Sequence, residues 1–114
     1  MSFSFEGIGG WAATFACGEV QNDTVVKIAD NGKVTACAAG DAFCGQVISV
    51  DGDGAACAVA LGGMVTASYT GTAPKVGFAN LSADGNGGVK TDTAGRSHLV
   101  TAVNTAAKTV TFVL

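Results

Sequence analysis

Histidine and cysteine are the side chains of this sequence that are best suited to catalysis or to metal binding. The single histidine is His98. A catalytic histidine needs a carboxylate that orients its ring, together with a nucleophile or a metal ion. No residue near His98 in the sequence marks such a partner, so we predict that His98 has a structural role or lies at the surface. One histidine among scattered cysteines also gives no basis for a zinc site.

The four cysteines could form disulfides or remain free. They are Cys17, Cys37, Cys44 and Cys57. No pair has the Cys-x-x-Cys spacing of zinc or redox sites. Each cysteine lies among alanine, valine, phenylalanine or glycine, where a free thiol behaves as a small hydrophobic group. We therefore predict buried free thiols rather than disulfides, in keeping with a reducing compartment.

Two turns that are rich in aspartate and glycine resemble ligand-binding loops without completing the pattern. Residues 51–54, Asp-Gly-Asp-Gly, begin like a calcium loop, but the twelfth position of the motif requires glutamate and is Gly62 here. Residues 84–88 lack the following helix and the Lys-Ser/Thr pair of a phosphate-binding loop. Both segments are typical of hairpin turns. We predict no enzymatic activity, no metal site and no cofactor.

The composition indicates a weakly charged protein that can bury a core. Of the 114 residues, 48% are hydrophobic and 13% are charged, and the net charge is −3. Disordered chains have the opposite balance, and about 25% charged residues is usual for a soluble domain. The exterior must therefore consist largely of small residues, which suits packing against other protein.

The same composition argues against several classes of partner. The six basic residues occur singly, so the chain lacks the clustered positive charge that binds nucleic acid. No apolar run reaches the ~20 residues of a membrane span. Residues 1–15 contain no lysine or arginine, whereas a signal peptide begins with a basic region. We expect a protein that stays in the cytoplasm or leaves it only within a larger particle.

Short strands separated by turns dominate the sequence. The clearest element is a hairpin over residues 43–61, where Cys57, Val59 and Leu61 alternate with alanine after the turn. Turn signals recur every 8–12 residues, which is typical of an all-β protein. Residues 102–108 could form a short helical turn, but a hairpin loop is favoured. We predict strands near residues 14–17, 24–29, 33–37, 43–50, 55–61, 64–70, 77–82, 88–92, 98–103 and 109–114.

Residues 23–62 and 75–114 repeat one pattern at an offset of about 55 residues. The spacing from Val34 to Gly40 equals that from Val89 to Gly95, and each copy closes on an alternating strand. Repeated β units that bury one face each can be stabilised by packing on one another. We predict a single β domain over residues 14–114, either a compact small barrel or a two-sheet sandwich with pseudo-twofold character.

Residues 1–13 differ from the remainder of the chain. Phe3, Phe5 and Trp11 lie here among closely spaced glycines, which oppose a helix. One interpretation is a strand that packs into the core of its own domain. The other is an extended N-terminal arm whose aromatic side chains anchor in a neighbouring subunit, since aromatic anchors are favoured at interfaces. We assign the segment as an arm.

The two-copy pattern resembles the capsid-decoration, or cement, proteins of tailed bacteriophages. The resemblance rests on a strand–turn–strand, an Ala-Gly-Asp step at residues 39–41, a Gly-x-Val run at residues 45–48 and a closing alternating strand, given twice over residues 14–114. The chain departs from the family in its four cysteines, and Arg96 stands in the second copy where the first has Asp41.

The resemblance implies a structural virion protein on the outer capsid surface, assembled in the host cytoplasm. Such proteins bind the expanded head, commonly as homotrimers at local threefold positions, and clamp neighbouring subunits of the major capsid protein. From its composition we expect the chain to bind neither nucleic acid nor membrane. We expect Phe3, Phe5 and Trp11 to be the capsid-binding anchors. The alternative is a β-rich binding module of a phage tail, a phage fibre or a cell surface that docks a host molecule.

Overall fold

A computed structural model describes residues 11–52 and 54–114. Within these residues the chain forms strands and no helix, so the predicted all-β class is confirmed. Each described strand overlaps one of the predicted strands. The strands are β1 (Trp11–Cys17), β2 (Val25–Asp30), β3 (Lys33–Ala36), β4 (Gly45–Val50), β5 (Ala56–Gly62), β6 (Met64–Ser68), β7 (Gly77–Ala83), β8 (Val89–Thr91), β9 (Arg96–Asn104) and β10 (Thr109–Val113).

The strands form two sheets in one small, compact body. The first sheet is a closed barrel with the order β1-β3-β2-β4-β5, and the second is a five-stranded sheet with the order β6-β10-β9-β7-β8. In the barrel, β1 pairs with β5 in antiparallel fashion and with β3 in parallel fashion. Strand β1 includes residues 11–13, which the sequence assigned to the arm. Residues 1–10, with Phe3 and Phe5, lie outside the described residues.

The two sheets have the same connectivity. When β1–β5 are placed on β6–β10 in order, the strand neighbours coincide. The parallel pair Cys17↔Val34, which closes the barrel, corresponds to a single parallel bridge between Tyr69 and Val89 in the second sheet. Each unit thus contains five strands. The sequence repeats at 23–62 and 75–114 each cover only four of them.

A β-bulge recurs at the same place in both units. On the fourth strand of the barrel, Val47 and Ser49 pair with consecutive residues of β5, so Ile48 is the extra residue. On the fourth strand of the second unit, Val100 and Ala102 pair with consecutive residues of β10, which leaves Thr101 extra. A bulge locally increases strand twist and redirects side chains. Ile48 and Ser49 are both exposed next to the bulge, instead of alternating between the two faces, and Ile48 is 52% exposed.

Two hydrophobic clusters hold the fold together, and one of them crosses between the sheets. The barrel interior is filled by Cys17, Val26, Val34, Val47, Cys57 and Val59. In the larger cluster, Val25 and Phe43 from the first half of the chain pack with buried residues of the second sheet, among them Leu81 and Phe112. Backbone hydrogen bonds also join the halves, from Gly40 N–H to the Ala83 carbonyl at 2.8 Å and from Ala83 N–H to the Asp41 carbonyl at 2.9 Å.

Candidate docking surface

Trp11 is held at the surface by the strand pairing of β1. It is the register partner of Gly62 on β5, next to an irregularity between Trp11 and Ala12. The indole lies against Gly62, where any Cβ atom would overlap the ring. The absence of a side chain at Gly62 therefore leaves the space that the indole occupies. Even so, the Trp11 residue remains 60% exposed, which is unusual for the largest apolar side chain.

An open groove of about 530 Å³ runs beside the Trp11 indole at the junction of the two sheets. Its apolar lining includes Trp11, Ile48 and Met64. The buried Gln46 side chain also borders the groove; its Nε2 donates to the Asp23 carbonyl at 3.0 Å and to the Thr66 carbonyl at 2.7 Å. Gln46 thereby ties β4 of the barrel to β6 of the second sheet. We call this feature the Trp11 groove.

A second apolar area lies on the outer face of the second sheet. Phe78 on β7 is directly opposite Leu99 on β9, and Val76 stands two residues before Phe78. These residues are 79%, 38% and 68% exposed, respectively. We call this feature the Phe78 patch. Sequence reasoning missed it, although the alternation of residues 78–81 places Phe78 on the same face as the exposed Asn80 and opposite the buried Leu81.

His98 is part of the core. Its ring stacks on Phe43, with centroids 5.0 Å apart, and meets the edge of Phe112 at 5.3 Å. The Nδ1 atom lies 2.9 Å from the Val113 carbonyl oxygen. A carbonyl can only accept a hydrogen bond, so Nδ1 carries the proton. Burial is the main cause that lowers the pKa of His98, and Arg96 adds to it. Of the two placements that the sequence allowed, in the structure or at the surface, the buried one is observed.

The lowered pKa of His98 predicts a loss of stability in mild acid. The ordinary pKa is 6.5, so below that value the unfolded chain takes up a proton more readily than the folded one. The full contribution is present above pH 6.5 and is lost as the pH falls toward the folded pKa. The urea midpoint of unfolding should fall over this range. In His98→Phe, which keeps an aromatic ring without the titration, the fall should be smaller.

The carboxylates of Asp41 and Asp92 lose their stabilising effect in a lower pH range than His98, so the two effects can be told apart. The ordinary pKa of Asp41 and Asp92 is 3.8, and hydrogen bonds from Lys27 to Asp41 and from Ala94 N–H to Asp92 lower both values. Their contributions are lost only at still lower pH, below the histidine window. Equal slopes for the parent and His98→Phe between pH 6.5 and 5 would contradict the assignment.

The four thiols are free, and burial suppresses the ionisation of Cys37, Cys44 and Cys57. Cys17 and Cys57 are buried inside the barrel, and Cys37 and Cys44 are half-buried. Burial raises the pKa of Cys37 to about 11 and also raises the pKa of Cys44. The pKa of Cys57 is raised to about 11, first by burial and then by the neighbouring Cys17 thiol. Thiols with raised pKa values are poor nucleophiles at neutral pH.

The aspartate-rich turns use their carboxylates for their own backbone. Asp84 Oδ1 accepts from Asn86 N–H at 2.6 Å and from Gly88 N–H at 3.1 Å. Asp92 accepts from Ala94 N–H and from the Ser82 hydroxyl. Among the described residues, His, Cys, Asp and Glu side chains form no group of three that could hold a metal ion. That part of the chain also contains no helix long and apolar enough to cross a membrane.

The sequence matches no known protein family and no curated protein. Of the three predicted capsid-binding residues, Trp11 lies at the surface and lines the Trp11 groove. Phe3 and Phe5 fall outside the described residues. Exposed apolar side chains on a rigid β framework are suited to binding another protein, because they release ordered water on contact and lose little conformational entropy.

Proposed function

We propose that this chain is a capsid-decoration protein of a tailed bacteriophage. It binds the outside of the shell and stabilises it by bridging subunits of the major capsid protein. The observation that carries the proposal is the exposure of Trp11 at the mouth of an apolar groove, directly after a segment that contains Phe3 and Phe5. Tryptophan is among the residues that contribute most to binding energy at protein interfaces.

The body of the protein suits a mechanical role. The core that crosses between the two sheets makes them one rigid unit, so a force applied at one contact is transmitted to the others. Shell subunits that are bridged by one body can separate only when its contacts to them break together, which is the advantage of multivalent binding. A homotrimer, as the resemblance implies, multiplies the number of contacts further. The low charge of the chain lets its surface approach the shell closely.

Binding to emptied, expanded heads that lack this protein tests the proposal. The parent protein should add density to the outer surface. Deletion of residues 2–10, which leaves β1 intact, should weaken binding at least tenfold, and so should Trp11→Ser. Hot-spot anchors contribute roughly 2–4 kcal/mol each, or a factor of about 30 to 1000 in Kd. Occupancy can be measured by cryo-electron microscopy and by co-sedimentation at a series of concentrations.

The matched control is Ile28→Ser, which removes a side chain of similar exposure, 52%, from β2 and away from the Trp11 groove. It should bind heads as the parent does. If the parent protein adds no density, the proposed function is wrong. If the parent binds but the deletion and Trp11→Ser retain full occupancy, the assignment of the anchors is wrong.

A further inference from the structure

The Trp11 groove is lined by one charged side chain, the carboxylate of Asp23. The other lining residues are uncharged, and none of them has a basic neighbour in the sequence. Within residues 11–52 and 54–114 the only ion pair joins Lys27 to Asp41, so no described lysine or arginine neutralises Asp23. The groove therefore combines apolar walls with one negative charge that has no described cationic partner.

The backbone of Asp23 is held in place by β4. Its N–H donates to the Val47 carbonyl at 2.8 Å, and its own carbonyl accepts from Gln46 Nε2 at 3.0 Å. Its φ of 67° lies in the left-handed region, which aspartate and asparagine adopt more readily than most residues. Because this backbone is already ordered, a ligand that pairs with the carboxylate does not have to order the backbone on binding.

A second hollow, of about 510 Å³, continues the Trp11 groove along β6. The two share Asp23 and Thr66, so the carboxylate lies where they meet. Small polar side chains such as Ser68 and Thr109 line the second hollow, and Asp23 is again its only charged lining residue; Lys108 precedes Thr109 but does not line it. This elongated surface is apolar at one end, polar at the other and negative between them, which suits an extended segment of protein.

We infer that the Trp11 groove binds an arginine side chain on an extended segment of a partner protein. The guanidinium pairs with the Asp23 carboxylate and lies against the Trp11 indole. Arginine suits both contacts, because its planar guanidinium pairs with carboxylates, stacks on aromatic rings and is more weakly hydrated than the ammonium of lysine. Its methylene groups can cover apolar surface such as that of Ile48 and Met64.

This inference deepens the proposed function and rests on it for the identity of the partner, which is then a segment of the major capsid protein. The preference for arginine itself belongs to the isolated chain. It follows from the charge and the lining of the groove, so it can be measured without heads.

Titration of the full chain with a short peptide tests the preference. Trp11 is the only tryptophan of the chain and is 60% exposed, so its fluorescence reports occupation of the groove. The probe is the acetylated and amidated peptide Thr-Leu-Thr-Arg-Thr, in which leucine and arginine face the same side of an extended chain. The matched probe carries citrulline, an uncharged isostere, in place of arginine.

The arginine peptide should bind the parent at least about fivefold more tightly than the citrulline peptide. Added salt should weaken binding of the arginine peptide and leave the citrulline peptide nearly unaffected. Asp23→Asn keeps the size of the side chain and its tolerance of positive φ but removes the charge. In this variant the two peptides should bind within about twofold of each other, with the citrulline affinity unchanged. Ile28→Ser should bind both peptides as the parent does.

Three outcomes of the titration would overturn the inference. The first is equal affinity of the parent for the two peptides, or no fluorescence response to either at about 10 mM. The second is a preference for arginine that persists in Asp23→Asn. The third is a response to a neutral sugar such as maltose with none to the arginine peptide, which would assign the groove to a glycan.

Binding to expanded heads separates this inference from the proposed function. Asp23→Asn should weaken binding to heads about fivefold or more. If the parent and Asp23→Asn decorate heads equally well, the arginine contact is wrong and the proposed function stands. If the parent does not bind heads but prefers the arginine peptide, the proposed function is wrong and the inferred ligand class of the groove stands.

Discussion

Replacement of Phe112 by alanine is expected to lower the free energy of unfolding by about 3–5 kcal/mol, the usual cost of removing a buried aromatic ring. Phe112 is fully buried in the cluster that crosses between the sheets. Its ring meets His98 at 5.3 Å and Phe43 at 5.7 Å. The cavity would therefore open among groups supplied by both halves of the chain. Domains of this size are stable by only about 5–15 kcal/mol, so Phe112→Ala should be marginally folded.

Urea unfolding followed by circular dichroism measures this effect. The matched control is Phe78→Ala, which removes the same side chain from a position that is 79% exposed. It should change the free energy of unfolding of the monomer by no more than about 0.5 kcal/mol, so the comparison is made at concentrations where the chain does not associate. Similar losses in the two variants would show that Phe112 is not central to the core.

Replacement of Gly45 by alanine is expected to cost about 3 kcal/mol, the upper part of the range for overpacked sites. Gly45 begins β4, where the chain crosses β5 closely. A Cβ atom added there would overlap the Ala60 carbonyl oxygen and would crowd Val59 Cγ1. Because the carbonyl belongs to the backbone of a paired strand, it cannot move aside as a flexible side chain could. The cost arises from space, since Gly45 is not among the glycines with positive φ.

Gly18→Ala is the matched control for Gly45→Ala. A Cβ atom at Gly18 meets nothing within 4 Å, and its φ is also not positive. We expect this substitution to leave the urea midpoint nearly unchanged or to raise it slightly, because alanine restricts the unfolded chain more than glycine does. If both variants unfolded at the same urea concentration, the close approach of β4 and β5 would be contradicted.

The strands could be predicted from the sequence because their signals are local. Residues 51–54 mark a hairpin turn, and β4 and β5 pair on either side of it. Residues 105–108 likewise form a turn between β9 and β10, as predicted in preference to a helical turn. The placement of His98 in a strand also followed from its neighbours alone. Each of these features depends on residues that are close together in the chain.

The arrangement of the strands could not be predicted in the same way. The barrel closes through a parallel pairing in which Cys17 lies opposite Val34, and no turn or spacing marks such a contact. The bulge at Ile48 leaves two consecutive residues, Ile48 and Ser49, exposed, and nothing in the spacing of apolar residues marks it. Likewise, the position of the Trp11 indole depends on Gly62, which is distant in the chain and has no side chain that could signal the contact.

The two halves have the same strand connectivity, but they contribute unequally to the two hydrophobic clusters. The buried core of the barrel consists of first-half residues alone. The core of the second sheet, in contrast, includes Val25 and Phe43 from the first half. Because synthesis begins at the N-terminus, the half that supplies Val25 and Phe43 leaves the ribosome before the half that needs them. The first-half residues that the second half needs are therefore already present when the second half emerges.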